Sequence, residues 1–559
     1  VKEAGSKRHR TLLVIFGKSK ALLAGKIVSM LGYEKVLYAT HSYEVEKTGV
    51  ENYNEFKKHV KSFDVIIFPE TDKILGTTYD ACVIDLSKQL VPNDLGILVE
   101  VVRGGGLVIL LTPRFERWTK IRTKFQRVLA TYPYKPRDVK PRFIKRFIKK
   151  LKEHCGIAVI NADTLAMHYN PCKQQVVETE IKVSHELPGL FSKLQAMCLT
   201  NDQVKVLSEI SKLYKKPKGK ECLIVIADRG RGKSAAIGIG LAGLVAKLSK
   251  VKKTRVIVTA PSYLSVKTLF EFLKRSLEEL SKSYEVEEFE GKLRCIKGKH
   301  FSIEFWDAGR LEGKRCDLLV VDEAAGLPIP TLFKLLSCSN KFVFSTTIHG
   351  YEGAGRGFSV RFMKRLAELN VKSTTVKMET PIRYARHDPI EAWLYDALLL
   401  NAEPPSLLKD EVEAAKRHEV DYIKPDMDEW FLTNEEKLKE FFGIYILAHY
   451  RNRPNDLAVI GEAPHHMARA LALKNGKIVC SLQICEEGGF KGAMLKKIVA
   501  GYEPHGHIIP DRLIKHYRIA EIGKFKGIRI VRIAVHPELF SHGLGSLALR
   551  KLELEFKNK

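Results

Sequence analysis

The stretch Glu221–Lys250, ECLIVIADRGRGKSAAIGIGLAGLVAKLSK, decides how the rest of the chain is read. Leu223–Ile226 has the length and branching of a buried strand, and the Ala-rich apolar pattern after Ser234 is that of a helix. Between them stands Asp228-Arg229-Gly230-Arg231-Gly232-Lys233-Ser234. Strand, glycine-bearing loop and helix start form the context of a P-loop. The glycines let backbone N–H groups turn inward around phosphate oxygens, and the positive end of the helix adds to that field. Lys233 is expected to reach the β/γ-phosphates of ATP, and Ser234 to ligate Mg²⁺. Ala227 stands where the first glycine of the full motif would be.

Upstream, Leu199-Thr200-Asn201-Asp202-Gln203 opens a helix, with Asp202 or Asn201 as its cap. Gln203 lies about thirty residues before the P-loop lysine, where its amide can read an adenine edge. Downstream, Arg255–Thr259 is a second strand and Asp317–Val321 a third, ending in Asp322 and Glu323. A carboxylate pair at the end of a buried strand suits Mg²⁺–ATP hydrolysis. Asp322 would hold the metal and Glu323 would polarise the attacking water. A fourth strand, Lys341–Ser345, runs into Thr346-Thr347. The glycine-rich loop from His349 to Gly357, with Arg356, is a candidate γ-phosphate sensor, and Arg383 a candidate phosphate ligand. These strands make one RecA-like ATPase core.

Length and composition set the frame. A chain of 559 residues accommodates about three to four domains. The net charge of +28, from 93 basic against 65 acidic residues, suits a polyanionic partner, RNA or DNA first. Ten scattered cysteines with no CxxC pair read as free, mostly buried thiols in a reducing compartment, with no disulfide-linked partner. No apolar run has the length of a membrane span and no signal peptide opens the chain, so no membrane partner is expected.

The fold class is α/β multidomain. Residues 1–195 read as a Rossmann-like α/β domain, with Thr11–Phe16, Val36–Tyr38, Asp64–Phe68 and Leu107–Leu111 as strands of a mostly parallel sheet. Gly104-Gly105-Gly106 reads as a tight turn. Within Lys135–Lys152, Phe143, Ile144, Phe147, Ile148 and Leu151 share one helical face, and the Lys and Arg residues offer a phosphate-binding basic face. Residues 196–428 hold the ATPase. Residues 429–559 change rhythm: His466–Leu473 and Lys477–Cys485 are antiparallel strands joined by the turn Lys474-Asn475-Gly476. Gly527–Val535 is a further strand, running through His536-Pro537 to Gly543-Leu544-Gly545 and a helix.

This last segment resembles the acetyl-CoA site of the GNAT fold, where a splayed strand frees its backbone groups for the pantetheine arm and loop amides hold the pyrophosphate. Gly543 and Gly545 match that family's Gly-x-Gly; Phe540 departs from its usual Gln or Arg. Taken together, the parts resemble the tRNA(Met) cytidine acetyltransferase family. The segments that carry the resemblance are Gly230–Ala235, Asp322–Ala325, Pro381-Ile382-Arg383, His449-Tyr450-Arg451, Arg532–Pro537 and Val91–Gly96.

The resemblance implies N4-acetylation of cytidine in RNA from acetyl-CoA, coupled to ATP hydrolysis. The family's typical target is the wobble position of elongator tRNA(Met), and its eukaryotic relatives also acetylate ribosomal RNA. It implies that Gln203 and Arg383 contact ATP alongside Ala227–Ser234. It also implies that Ile533, Ala534, Val535, Phe540, Ser541, His542, Gly543, Leu544, Gly545 and Ser546 line acetyl-CoA. A cytoplasmic setting follows, or a nucleolar one in a eukaryote. His536 and His507 are candidates for taking the proton of the attacking nitrogen. Because Lys559 falls at the helix after the pyrophosphate loop, the GNAT domain is expected to be incomplete. The alternatives are an RNA-dependent, helicase-like ATPase and a protein lysine acetyltransferase with a regulatory ATPase.

Overall fold

The computed structural model describes residues 1–41, 47–172, 187–347, 355–448 and 453–557. The candidate sensor loop, up to 354 and including the Arg356 side chain, and His449-Tyr450-Arg451 lie outside the described residues. The chain divides into two compact units. One joins residues 1–173 to 387–559, and the other comprises 174–386.

In the first unit, β1 (Thr11–Phe16), β2 (Val36–Thr40), β3 (Asp64–Ile67), β4 (Tyr79–Asp85), β5 (Val102–Leu111), β6 (Ile157–Asn161) and β7 (Met167–Asn170) form a sheet of order β3-β2-β4-β5-β1-β6-β7. It is parallel up to β6, and β7 runs antiparallel to β6. Leu12–Ile15 and Leu107–Leu111 are buried almost completely, as near-continuous apolar runs covered on both faces should be. The triplet Gly104–Gly106 is not a turn between elements but an irregularity inside β5. A side chain at Gly106 would stand 2.5 Å from the Asp80 carbonyl oxygen, and the β4–β5 register shifts there.

The second unit holds β8 (Glu221–Ala227), β9 (Thr254–Thr259), β10 (Glu285–Phe289), β11 (Lys292–Gly298), β12 (Phe301–Phe305), β13 (Leu318–Val321), β14 (Lys341–Thr347) and β15 (Lys372–Met378). Their order is β10-β11-β12-β9-β13-β14-β8-β15, parallel from β12 to β15 with a β10–β11–β12 antiparallel extension. The helix Lys233–Leu248 is apolar nearly all round and is sandwiched in this core.

Returning to the first unit, β16 (Val420–Ile423), β17 (His466–Leu473), β18 (Ile478–Gly488) and β19 (Lys526–Val535) form an antiparallel sheet in that order. The expected hairpin turn closes β17 to β18, with Gly476 at φ 85°.

Three expectations need correction. Part of the basic face expected over Lys135–Lys152 is turned inward, although Lys135, Arg137, Lys140, Lys145 and Lys152 stay exposed. Arg142 pairs with Asp428 at 2.8 Å, Arg146 with Asp396 and Glu435, and Lys150 with the same two acids at 2.9 and 2.6 Å. Arg146 is wholly buried, whereas Lys145 and Lys152 of the same helix are exposed. Not every thiol is free: Cys155 and Cys172 form a disulfide, because the Gly156–Asn170 pairing at the foot of β6–β7 brings their Cα atoms to 4.9 Å. The other eight are reduced, seven of them buried. Finally, neither Asn201 nor Asp202 caps the helix Asn201–Lys212. Thr200 does, its hydroxyl accepting from Gln203 N.

Candidate active sites

The P-loop joins β8 to its helix through Gly230 at φ 74° and Gly232 at φ 75°, the left-handed conformation that glycine adopts without strain. Gly232 has a second reason to lack a side chain. A Cβ there would lie 2.1 Å from Ile382 Cδ1 and 2.6 Å from Gln203 Nε2. Ile382 N donates to Gly230 O at 3.0 Å, so the segment carrying Arg383 is strapped to the loop. Gln203 is buried. Its Oε1 accepts from Leu199 N at 2.7 Å and its Nε2 donates to Gly232 O at 3.2 Å, so the amide braces the P-loop. Asp202 ties the same region together by accepting from Glu379 N and Thr380 N, both at 2.9 Å. Ala227, Asp228, Arg229 and Arg231 continue from β8 into the loop, with Arg231 Nη1 donating to Arg229 O at 3.0 Å.

Strand order brings the acids to this loop. β14 lies between β8 and β13 and carries Ser345 and Thr347 into the space between lysine and carboxylates. Lys233 Nζ bonds Glu323 Oε1 and, at 3.2 Å, Thr347 Oγ1. Thr347 also reaches both Glu323 oxygens, at 2.9 and 3.1 Å. Ser345 Oγ donates to Asp322 Oδ1. Glu323 sits at φ 49°, a left-handed non-glycine conformation of the kind found where a site holds its side chain under constraint. Burial pushes the Asp322 carboxyl up, against the pull of Lys233. Burial acts the same way on Glu323, but Lys233 and the Thr347 hydroxyl outweigh it and hold that carboxyl low. Asp322 is fully buried beside Ser234, and its Oδ2 has no hydrogen-bond partner. A buried carboxylate oxygen without a donor, next to a hydroxyl on the first turn of a P-loop helix, is the donor set a divalent cation needs. Sequence reasoning missed Ser345 and Thr347. Their one signal was the polar end of an otherwise apolar strand.

In the first unit, β19 pairs on one side with β18 and, among the described residues, with no strand on the other. The β18–β19 register slips between Gln483 and Ile484, leaving Val531 as a bulge. Ile533, Ala534 and Val535 follow it. The loop then turns through Ser541 (φ 69°) and Gly543 (φ 77°) into the helix Leu544–Phe556. Leu544 anchors that helix in the core beneath, and His418 Nε2 to His542 O, at 2.8 Å, pins the loop. At Gly545 a Cβ would lie 3.7 Å from Val535 Cγ2 and 4.0 Å from Ile533 Cδ1, so the helix tip rests directly over the strand. Ser541, His542, Gly543 and Ser546 are exposed at the rim, with Phe540 half-buried. Strand, bend and helix tip therefore come together at one edge of the sheet.

The two candidate histidines are placed differently. His536 is buried, with Nε2 bonded to Pro405 O at 2.8 Å and Nδ1 accepting from Glu538 N at 3.3 Å. His507 is buried too, with Nε2 bonded to Tyr132 O at 2.8 Å and Nδ1 accepting from Gly488 N at 2.9 Å. Each ring uses both nitrogens on the backbone, and burial pushes both imidazoles below their ordinary range. Neither has a lone pair left for a substrate proton.

Comparison with known proteins agrees along the chain. The N-terminal model of tRNA(Met) cytidine acetyltransferase TmcA matches residues 1–162, the helicase-domain model of RNA cytidine acetyltransferase NAT10/TcmA matches 224–401, and the GNAT acetyltransferase 2 model matches 440–559. The tRNA(Met) cytidine acetyltransferase TmcA of Thermococcus kodakarensis is 43% identical over 594 residues, covering 100% of this chain and 72% of its own length. Those of Pyrococcus abyssi and Thermofilum pendens are 41% and 44% identical, covering 100% and 99% of this chain and 71% of their own lengths. No helix among the described residues is long and apolar enough to cross a membrane. Three models in one order and identity of this level from end to end make this chain a member of the tRNA(Met) cytidine acetyltransferase family.

Proposed function

We propose that this chain transfers acetyl from acetyl-CoA to N4 of a cytidine in tRNA, with the elongator tRNA(Met) wobble cytidine as target and the cytoplasm as setting, and that ATP hydrolysis drives the RNA rearrangement the transfer requires. Three modules carry this out: the N-terminal module, an ATPase within 174–386, and a GNAT module whose sheet takes in β16 (Val420–Ile423). Family membership, with 43% identity to a curated tRNA(Met) cytidine acetyltransferase across the whole chain, is the observation that carries the reading.

The P-loop amides and Lys233 hold the triphosphate, Ser234 and Asp322 hold Mg²⁺, and Glu323 orients the hydrolytic water. Mg²⁺, when bound, would supply charge neutralisation to the phosphates. Lys233 exchanges its Glu323 and Thr347 partners for phosphate oxygens, which frees Glu323 to accept a hydrogen bond from water. Arg383, strapped beside the loop, adds positive charge at the phosphates, and Gln203 fixes the loop's shape. On the GNAT module, Ile533–Val535 offer backbone groups to the pantetheine arm, and the Phe540–Ser546 bend with its helix tip takes the pyrophosphate. The cytosine must leave its stack to meet the thioester, which costs a few kcal/mol in a duplex and less in a loop.

The test is incubation with labelled acetyl-CoA, ATP and tRNA, followed by nucleoside analysis. N4-acetylcytidine that depends on ATP and disappears in Lys233→Ala is the expected outcome. RNA-stimulated ATP hydrolysis with no acetylated nucleoside points instead to a remodelling ATPase. Label found on protein lysines alone points to a protein acetyltransferase.

A further inference from the structure

We propose that the N-terminal sheet carries a second phosphate site, separate from both sites above. It is a basic pocket at the C-terminal ends of β1, β4, β5 and β6, built for a ligand with adjacent phosphate groups, whether a free nucleotide or an RNA strand. In the sheet order β3-β2-β4-β5-β1-β6-β7, strands β2–β5 lie to one side of β1 and β6–β7 to the other. That reversal opens a crevice outside the carboxyl ends of the strands, where open α/β sheets bind ligands. Here the crevice encloses about 750 Å³ and is lined by eight lysines and arginines against one carboxylate, Asp163.

The single acid is already spent. Asp163 Oδ1 accepts from Lys18 N at 2.8 Å and Ser19 N at 3.2 Å, and Oδ2 lies 3.7 Å from Arg114. Asp163 thus satisfies the loop amides after β1, so the site rests on side chains rather than on a helix end. Lys88 and Arg117 are exposed at the rim and have no carboxylate partner among the described residues. Deeper in, Lys20 is buried, its ammonium held by Thr112 O at 3.2 Å. Burial, with Arg117 and Lys88 nearby, pushes that ammonium below its ordinary range against the pull of Asp85. Thr112 lines the pocket with its Oγ1 fully buried and without a hydrogen-bond partner. A buried hydroxyl left unpaired is unfavourable, and so is a concentration of like charge around one concavity. A ligand that presents several anionic oxygens together relieves both. A monocarboxylate, with one charge, would leave most of the field uncompensated.

The test uses the full chain with Lys233→Ala, so that the P-loop is weakened, and two probes: inorganic tripolyphosphate and a fluorescent twelve-nucleotide oligouridine. Lys88→Glu with Arg117→Glu is expected to weaken at least one probe tenfold or more. Lys292→Glu with Lys299→Glu, the same charge change elsewhere, should leave both within twofold. Loss of tripolyphosphate binding, or oligouridine displaced by it, identifies the free nucleotide as the source. Loss of oligouridine binding that tripolyphosphate does not displace identifies the strand, and its logarithmic salt slope should fall by about 0.7 for each phosphate contact removed. In the chain carrying only Lys233→Ala, either bound probe should also protect Lys18 and Lys88 from amine acylation read by mass spectrometry. That arm stands whether or not the charge-reversed variant folds. Unchanged affinity for both probes, an equal loss in the control pair, or no protection overturns the proposal.

Discussion

Asp388→Ala is the sharpest test of how the first unit is held together across the inserted ATPase. Asp388 and Arg10 are 378 residues apart, and both side chains are fully buried. One carboxylate accepts from Arg10 N (2.7 Å), Nε (3.1 Å) and Nη2 (3.0 Å), and also caps the helix Pro389–Leu398 through Ile390 N (3.0 Å) and Glu391 N (2.8 Å). Removing it takes two hydrogen bonds from a buried guanidinium, which also donates to Val99 O at 2.9 Å. Breaking one side of a buried pair costs about 3–5 kcal/mol. A lost cap adds about 1 kcal/mol, though the two effects share one group and will not sum fully. A loss of about 4–5 kcal/mol is expected. With an m-value of about 3 kcal/mol/M, the urea midpoint of this unit should fall by roughly 1.5 M. Tryptophan fluorescence reads it cleanly in a Trp306→Phe background. The other three tryptophans lie in this unit, and Trp118 and Trp393 flank Phe147 at 5.9 and 5.7 Å in its core. Arg10→Met with Asp388→Asn removes both charges and keeps a capping group, so it should recover about half the loss. A midpoint shift below about 0.3 M, or single effects that add within about 0.5 kcal/mol, would refute the reasoning.

Glu323→Gln should retain ATP binding and lower ATP turnover at least about a hundredfold, measured by phosphate release, because the amide cannot draw a proton from water. Ser345→Ala removes the hydroxyl donor from Asp322 Oδ1, leaving it the Glu323 N–H at 3.1 Å, and should raise the Mg²⁺ concentration needed for half-maximal hydrolysis several-fold, with the nucleotide KM little changed. Gly545→Val places a branched side chain between the helix tip and Val535. It should weaken acetyl-CoA binding about tenfold by calorimetry while leaving thermal stability within a few degrees. Glu462 is buried against Gln126 Nε2 (2.9 Å) and Ile144 N (3.3 Å), and burial pushes its carboxyl up to about 7. Its folded form holds a proton that the unfolded form releases near pH 4.5. Stability therefore falls as pH rises from about 4.5 to 7, by up to about 3 kcal/mol. The difference between the unsubstituted chain and Glu462→Gln should grow over that window and level off above it. A pH-independent difference in urea midpoint would contradict the assignment.

What the sequence determined alone is what neighbouring residues encode. The P-loop, the Asp322-Glu323 strand end, the Asn-Gly hairpin and the Gly543–Gly545 bend are contiguous, and their chemistry depends on turn geometry and strand or helix period within a dozen residues. The tertiary structure alone decided which of these meet and what each side chain has left to give. Ser345 and Thr347 became site residues because β14 lies between β8 and β13, an order that no local pattern specifies. Arg142, Arg146 and Lys150 are paired with Asp396, Asp428 and Glu435, more than two hundred residues away in sequence. His507 and His536 keep the residue type of a base, but burial and two backbone partners each take the function away. A charge or a lone pair is a property of the residue; whether it is free to act depends on partners that only folding brings within 3 Å.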